Sequence, residues 1–339
     1  MKALFLDAVG QFALRDTPRP EPGPHDLLVR VEACGICGTD RHLFLGEFPA
    51  KPPVTLGHEF SGIIEAVGAR VSGFAPGMRV TGDPNIACGR CPECHRGRVN
   101  LCHHLQAIGI HRNGGFADYV LLPETQAFAL PPSLDPLHGA FCEPLACCLH
   151  GVDLAEIKPG SSVIVIGGGV IGLLVVQLAR LAGATEVVLL TRSESKRRLA
   201  EGLGATATLD PSGGNVVEST VGPHGAIPGG ADVVFECAGL PETVEQAPHL
   251  ARRGGTVIIL GVLPQGVTVA LSPFDLLFRE IKLIPSFLNP FTHARAAALI
   301  AAGTIQVAPL ISRTIRFDEA ADAISHPAGS GEIRVVVVP

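Results

Sequence analysis

Between positions 37 and 59 the chain gathers Cys37, Thr39, Asp40, His42, His58 and Glu59, interleaved with glycines at 35, 38 and 57. A thiolate, an imidazole and a carboxylate are the donor types that a borderline-soft ion such as zinc accepts. The glycines allow the tight backbone turns that bring donors distant in sequence to one point. Taken singly, each residue suits a plainer role as well: a cysteine packed as a small hydrophobe, or a histidine on a loop. Their grouping, read with what lies downstream, favours metal chemistry.

The most specific local pattern is Cys88-x2-Cys91-x2-Cys94-x7-Cys102. Four thiolates at these spacings, in a polar stretch holding Gly89, Pro92 and Gly97, close a tetrahedral site with every position taken by protein. Such a site is structural. His95, His103 and His104 lie close enough in sequence to compete, but the thiolates suffice. Exposed free thiols are reactive, which counts against four unligated cysteines in a loop.

A third pattern runs Val163-Ile-Val-Ile-Gly-Gly-Gly-Val-Ile-Gly172. It supplies Gly167-x-Gly169-x-x-Gly172 directly after a strand and at the opening of a helix. In that frame the glycines permit the tight turn, the approach of a pyrophosphate to backbone N–H groups, and close helix–strand packing. The first helical residues, Val170 and Ile171, would carry the phosphates at the helix N-terminus. The acidic residue that holds a ribose 2′-hydroxyl is expected about 20 residues on. That place reads Leu190-Thr191-Arg192-Ser193, without a carboxylate. Thr191 would line the turn, Arg192 is suited to pair a 2′-phosphate, Ser193 to donate a hydrogen bond, and Arg197 or Lys196 to add a second cation. NADP is therefore expected over NAD. NAD stays possible if a one-residue shift brings Glu194 into the acceptor position.

The elements that must position these groups change character near residue 150. Before it, short alternating segments such as Leu27–Ala33, Phe60–Gly68 and Phe116–Leu122 are broken by Gly and Pro, as in a β-rich region with long loops. After Gly160, continuous apolar strands alternate with helices. The strands are Val163–Ile166, Val187–Leu190, Ala207–Leu209, Asp232–Glu236 and Thr256–Leu260, with helices running to Ala182, through Leu203, and over Pro241–Leu250. That alternation reads as a doubly wound parallel sheet. A helix over Thr292–Ala302 and a closing strand at Val335–Val338 follow.

With 339 residues, two domains are the default. A net charge of −6, with no basic run beyond Lys196-Arg197-Arg198, argues against a nucleic-acid surface. The apolar N-terminus is interrupted at Asp7, unlike a signal peptide. The apolar runs Ser162–Leu178 and Gly255–Leu263 carry turn glycines, unlike membrane spans. A cytoplasmic protein is expected, in which ten cysteines serve as metal ligands or free thiols.

In this order, the motifs Gly35-Ile-Cys-Gly-Thr-Asp-Arg-His42, Gly57-His-Glu-Phe-Ser-Gly62, the four-cysteine lobe, Glu143-Pro-Leu and the Gly167–Gly172 turn resemble the zinc-dependent medium-chain dehydrogenase/reductase superfamily. Within it, the polyol (sorbitol-type) and threonine dehydrogenase branch is most similar, and the resemblance covers essentially the whole chain. It implies an α/β architecture: a GroES-like β-rich catalytic domain at 1–148 and 287–339, with the zinc lobe at about 84–105, and a Rossmann doubly wound parallel-sheet domain at 149–286. Substrate would lie between the two.

The same resemblance implies that Cys37 and His58 ligate a catalytic zinc. Glu59 and Glu143 would complete the coordination directly or through a water, and Cys142 is the local alternative. A zinc site with an open position polarises an alcohol oxygen, and the nicotinamide takes the hydride. Thr39 would then bond the alcohol oxygen, His42 would pass its proton to solvent, and Asp40 would orient the site from behind. A polyol or related secondary alcohol is the implied substrate. An L-threonine or simple alcohol dehydrogenase is the alternative, and an amino-acid substrate would need a cation such as Arg41, Arg112 or Arg295. Members of the branch are often tetramers, so a homo-oligomer, tetramer or dimer, is implied.

Two departures concern the substrate side. The branch's Arg-Tyr pair is matched here by Leu288 and Asn289, and an aromatic after the relay histidine by Leu43. Both make the site less polar than a sorbitol enzyme's. A non-catalytic zinc or NADPH-binding module of the same fold would be expected to have lost part of this set, yet Cys37, His58, Glu59, Glu143, Thr39 and His42 are all present.

Overall fold

The computed structural model describes residues 1–326, 329 and 331–339. The chain divides into two compact units, Met1–Ala146 with Leu288–Pro339, and Cys147–Phe287.

The first unit is built around the strand Asp26–Gly35. It pairs antiparallel with Glu59–Val67, with Tyr119–Pro123 and with Arg334–Val338. The sheet continues through Arg79–Gly82 to Ala127–Leu130 on one side and through Ile311–Arg316 on the other. Leu27, Val29 and Val31 alternate into the core, where Phe60, Phe116, Leu122 and Val337 are also fully buried or nearly so. Alternation of this kind fits a sheet with one covered face. The central strand ends two residues before Cys37, and Gly35 lies directly opposite Glu59. Strand register alone therefore brings the two halves of the 37–59 cluster together.

Residues 38–45 form the helix Gly38–Leu45. The Cys37 backbone N–H donates to Asp40 Oδ2 at 2.8 Å, one side of a helix-opening box. Asp40 and Leu43 are the buried residues of this helix. Thr39 and His42, three positions apart, share a neighbouring strip of its surface.

In the second unit six parallel strands lie in the order Ala207–Leu209, Glu186–Leu190, Ser162–Ile166, Ala231–Glu236, Ala251–Ile259, Lys282–Pro285. Numbered along the chain this is 3-2-1-4-5-6, the doubly wound order whose ligand crevice opens beyond the carboxyl ends of the first and fourth strands. Ile164, Val188, Val234 and Val257 are essentially solvent-free because helices cover both faces. The edge strand Lys282–Pro285 and the short helix Pro273–Phe278 escape a periodicity reading, since each is too brief to show a period. Among the described residues no helix is long and apolar enough to cross a membrane.

One buried side chain makes the first unit sensitive to acid. His293 is 1% exposed, stacks on Phe128 at a centroid distance of 4.7 Å, and has no partner for Nδ1. Burial pushes its pKa down to about 3. A histidine kept neutral when folded and protonated when unfolded near pH 6.5 contributes stability above that pH, and the contribution is lost as pH falls toward 3. Unfolding free energy should therefore decline by up to about 1.4 kcal/mol per pH unit below about pH 6.5 through this group alone. Urea midpoints measured from pH 7.5 to 5 should fall less steeply in His293→Leu than in the parent. Equal slopes would count against a buried neutral imidazole.

Candidate active site

Cys37, His58 and Glu59 each offer a donor atom within 4.8 Å of the other two. His58 and Glu59 are buried and Cys37 is half-buried. Two glycines make this approach possible. A Cβ at Gly35 would lie 2.2 Å from Glu59 Oε2, and one at Gly57, itself at φ 92°, would lie 2.8 Å from Cys34 Sγ and from the Phe116 nitrogen. Any larger residue at 35 would evict the carboxylate.

Asp40 Oδ1 stands 3.6 Å from His58 Nδ1. A carboxylate behind one ring nitrogen orients the other toward a metal. Burial by itself would lower the His58 pKa, yet Asp40 and Cys37 more than reverse this and hold it well above its ordinary value. Negative groups therefore gather around His58. Burial pushes the Glu59 carboxyl up, against the pull of Arg334 and His58.

Arg334 was not singled out from the sequence. It is 4% exposed, its Nη2 lies 3.1 Å from Glu59 Oε1, and its Nη1 donates to the Ile36 carbonyl. Burial would lower its pKa, but Glu59, Cys37, Glu143 and Asp40 more than offset that and raise it. The available signal was one charge at the head of the apolar run Arg334-Val-Val-Val-Val.

Glu143, in the first turn of the helix Cys142–Ala155, is buried but lies outside the three-donor group. Cys142 is fully buried, with its thiol pushed up to about 12 by desolvation. It lies outside the three-donor group. Arg41, one of the cations considered for an amino-acid carboxylate, donates to the carbonyls of His326 and Ala323 at 2.8 and 3.1 Å. Asn289 is buried and accepts from Asn85 Nδ2 at 2.9 Å, and Leu288 takes a left-handed backbone at φ 60°. Asn289 thus joins a polar contact within the first unit.

Cys88, Cys91, Cys94 and Cys102 also place all their sulfurs within 4.8 Å of one another. Zn–S bonds of 2.3 Å at tetrahedral angles give sulfur separations of roughly 3.8 Å. Cys91 Sγ is 3.5 Å from Cys94 Sγ and 3.9 Å from Cys102 Sγ. The backbone is already shaped for thiolates: Cys102 Sγ accepts from the N–H groups of Cys88 and His104 at 3.2 and 3.3 Å. The N–H groups of Cys94 and His103 draw the Cys91 thiol down to about 6. All four positions fit zinc.

In the second unit the glycine turn divides its labour. Gly167 holds φ 106°, and a Cβ at Gly172 would sit 1.9 Å from the Gly167 carbonyl oxygen. Gly168, absent from the motif as read, is needed because its Cβ would meet the Thr191 hydroxyl at 2.8 Å. A Cβ at Gly169 would meet nothing within 4 Å, and Gly169 caps the helix Val170–Leu181 with no side-chain hydrogen bond. The first N–H groups of that helix, at Val170 and Ile171, have no intrahelical acceptor, as at any helix N-terminus.

Around the next loop, Arg192 is exposed and Ser193 Oγ lies 3.0 Å from Ser195 Oγ. Arg197, expected from sequence as a second phosphate cation, instead donates to the carbonyls of Thr191 and Arg192 at 2.7 and 3.0 Å and pairs with Asp210 at 3.1 Å. It shapes the loop. Glu194, the alternative ribose acceptor, pairs with Arg198 one helical turn on.

Comparison with known proteins bears on both halves. The profile of the alcohol dehydrogenase GroES-like domain matches residues 23–132, and that of the zinc-binding dehydrogenases matches residues 170–302. A sorbitol dehydrogenase of Halalkalibacterium halodurans is 33% identical, covering 100% of this chain and 99% of its own. An L-idonate 5-dehydrogenase of Vitis vinifera is 34% identical over 88% of this chain and 83% of its own. A crystal structure from Sinorhizobium meliloti 1021, assigned to the zinc-binding dehydrogenases and bound to NADP, is 65% identical with a TM-score of 0.98, covering 100% and 99% of the two chains. Identity at this level along the full length shows the family, and the chain belongs to the zinc-containing medium-chain alcohol dehydrogenases, enzymes dependent on zinc and NAD(P).

Proposed function

We propose that this dehydrogenase oxidises a polyol or related secondary alcohol to the ketose or ketone, with NADP⁺ preferred over NAD⁺. The observation that carries the reading is the group Cys37, His58 and Glu59: three protein donors around one point leave a fourth position for substrate. Zinc held there supplies Lewis-acid polarisation of an alcohol oxygen, and nicotinamide supplies the hydride acceptor. Asp40 orients His58, Arg334 orients Glu59, and Glu143 adds negative charge beside Arg334. Thr39 hydrogen-bonds the alcohol oxygen, and His42, on the same strip of helix, carries the proton away. The likeness to sorbitol and L-idonate dehydrogenases supports the polyol class.

The NADP preference rests on Arg192 and Ser193 at the end of the second strand, where Leu190 to Ser193 hold no carboxylate. NADP in the 65%-identical structure supports it. Gly167, Gly169, Val170 and Ile171 take the pyrophosphate, Gly172 lets the helix pack close to the turn, and Thr191 and Arg197 shape the loop. Initial rates with sorbitol, xylitol, D-arabinitol, L-idonate, 2,3-butanediol and threonine, each with NAD⁺ and NADP⁺, test the whole reading. Arg192→Ala should raise the KM for NADP⁺ roughly 10- to 100-fold, as expected for a charged hydrogen bond, and leave that for NAD⁺ nearly unchanged. Equal use of both cofactors by the parent enzyme would overturn the preference and leave the zinc chemistry standing.

We also propose that the protein works as a cytoplasmic homo-oligomer, tetramer or dimer. Ten cysteines, five of them at the zinc sites proposed here, accord with a reducing compartment. In the second unit Phe274, Leu277 and Phe278 are 66, 72 and 62% exposed on the helix Pro273–Phe278, an apolar surface suited to a second copy of the same chain. Light scattering should return a multiple of the 35.3 kDa chain mass. A monomer at micromolar concentration would sink this point.

A further inference from the structure

The helix Gly38–Leu45 ends in a turn that folds the next two side chains back onto His42. Gly46 takes the left-handed conformation at φ 75°, and a Cβ there would meet Val9 Cγ1 at 2.9 Å. The Gly46 N–H donates to the Leu43 carbonyl at 3.2 Å and the Glu47 N–H to the His42 carbonyl at 2.9 Å. With the backbone so closed, the Glu47 carboxylate lies 2.5 Å from His42 Nδ1. The Phe48 ring stacks on the imidazole, centroids 4.9 Å apart and planes 28° apart. A ring held by a carboxylate on one edge and an aromatic on one face has little freedom to flip.

We infer that Glu47 is a positioning residue for His42. Its carboxylate accepts the Nδ1 proton, which leaves the lone pair on Nε2. Nε2 is then the atom that takes the proton leaving the alcohol. The imidazolium formed has the Glu47 carboxylate beside it, and returns to neutral by giving the Nε2 proton to water. Side-chain exposures of 25% for His42 and 35% for Glu47 leave both groups within reach of solvent. The inference rests on the relay role proposed above for His42.

The test starts with a readout that needs no turnover. In protein labelled with ¹⁵N-histidine, long-range proton–nitrogen correlation at alkaline pH reports each imidazole tautomer, and His42→Asn identifies the His42 signals. His42 should be the Nδ1–H tautomer in the parent and in Glu47→Gln, which keeps an acceptor. It should revert to Nε2–H, the form favoured in water, in Glu47→Leu. On the polyol turned over best, Glu47→Leu should lower kcat roughly 10- to 100-fold, within the range that a proton-transferring group supplies, with KM for NADP⁺ unchanged. It should add nothing on a His42→Asn background.

An Nε2–H tautomer in the parent, or an unchanged tautomer in Glu47→Leu, would overturn the inference. So would a loss of kcat in His42→Asn that Glu47→Leu does not share. Full kcat in His42→Asn would remove the relay itself, and the positioning role with it, which separates failure of the earlier reading from failure of this one.

Discussion

Cys37→Ser should yield a folded protein that holds one zinc per chain and turns over its alcohol at least ~10³-fold more slowly than the parent. Polarisation of the alcohol oxygen is worth several kcal/mol of barrier, and about 4 kcal/mol corresponds to about three orders of magnitude in rate. Folding should survive for a local reason. Cys37 is half-buried and caps the helix Gly38–Leu45, and serine is among the residues best suited to that position. The four-cysteine lobe shares no ligand with this site, so its zinc should stay. Elemental analysis, circular dichroism and initial rates on the same preparation decide the matter. Two zincs with near-parental turnover would exclude Cys37 as a ligand.

Arg334→Met should be the most destabilising single change at the site. The guanidinium is the one cation paired with buried Glu59 among the described residues. Its removal takes away the largest positive influence on a carboxylate that is 1% exposed and leaves His58 as its cationic neighbour. Breaking such a pair by deleting one partner typically costs about 3–5 kcal/mol. The urea midpoint should fall accordingly. Zinc at the Cys37 site should also be lost to a chelator more readily, by about 10- to 100-fold, because the carboxylate loses the partner that orients it. Arg334→Lys should recover part of both effects. It restores the charge without the planar fork that serves Glu59 and the Ile36 carbonyl together. A midpoint change worth less than about 1 kcal/mol in Arg334→Met would mean that Arg334 is not what compensates Glu59 in the native protein.

The two predictions differ in how far their residues could be read in advance. Cys37 sits in a run dense with donors and glycines, where residue types alone suggest a metal. Arg334 sits at the opposite end of the chain, and its role arises because Arg334–Val338 is added to the same sheet as Asp26–Gly35. Glu143 looked equivalent to Glu59 as a ligand by motif, yet only Glu59 stands opposite Gly35 with its carboxylate in the donor group. Arg197 looked equivalent to Arg192 by charge, yet Asp210 and two carbonyls engage it.

Short-range chemistry was therefore open to reading from residue order. The Cys₄ lobe closes within 15 positions, from Cys88 to Cys102, and the glycine turn acts within the strand, loop and helix that hold it. In both, the groups that must meet are too near along the chain to do otherwise, so spacing carries the geometry. Partner choice among distant charges did not follow from order. Which carboxylate faces the thiolate, which arginine holds it, and whether Glu47 reaches His42 depend on strand register, on a left-handed turn at Gly46 and on burial. Those are settled only when the sheet assembles and excludes water, because a charge in solvent needs no particular partner and a buried one does.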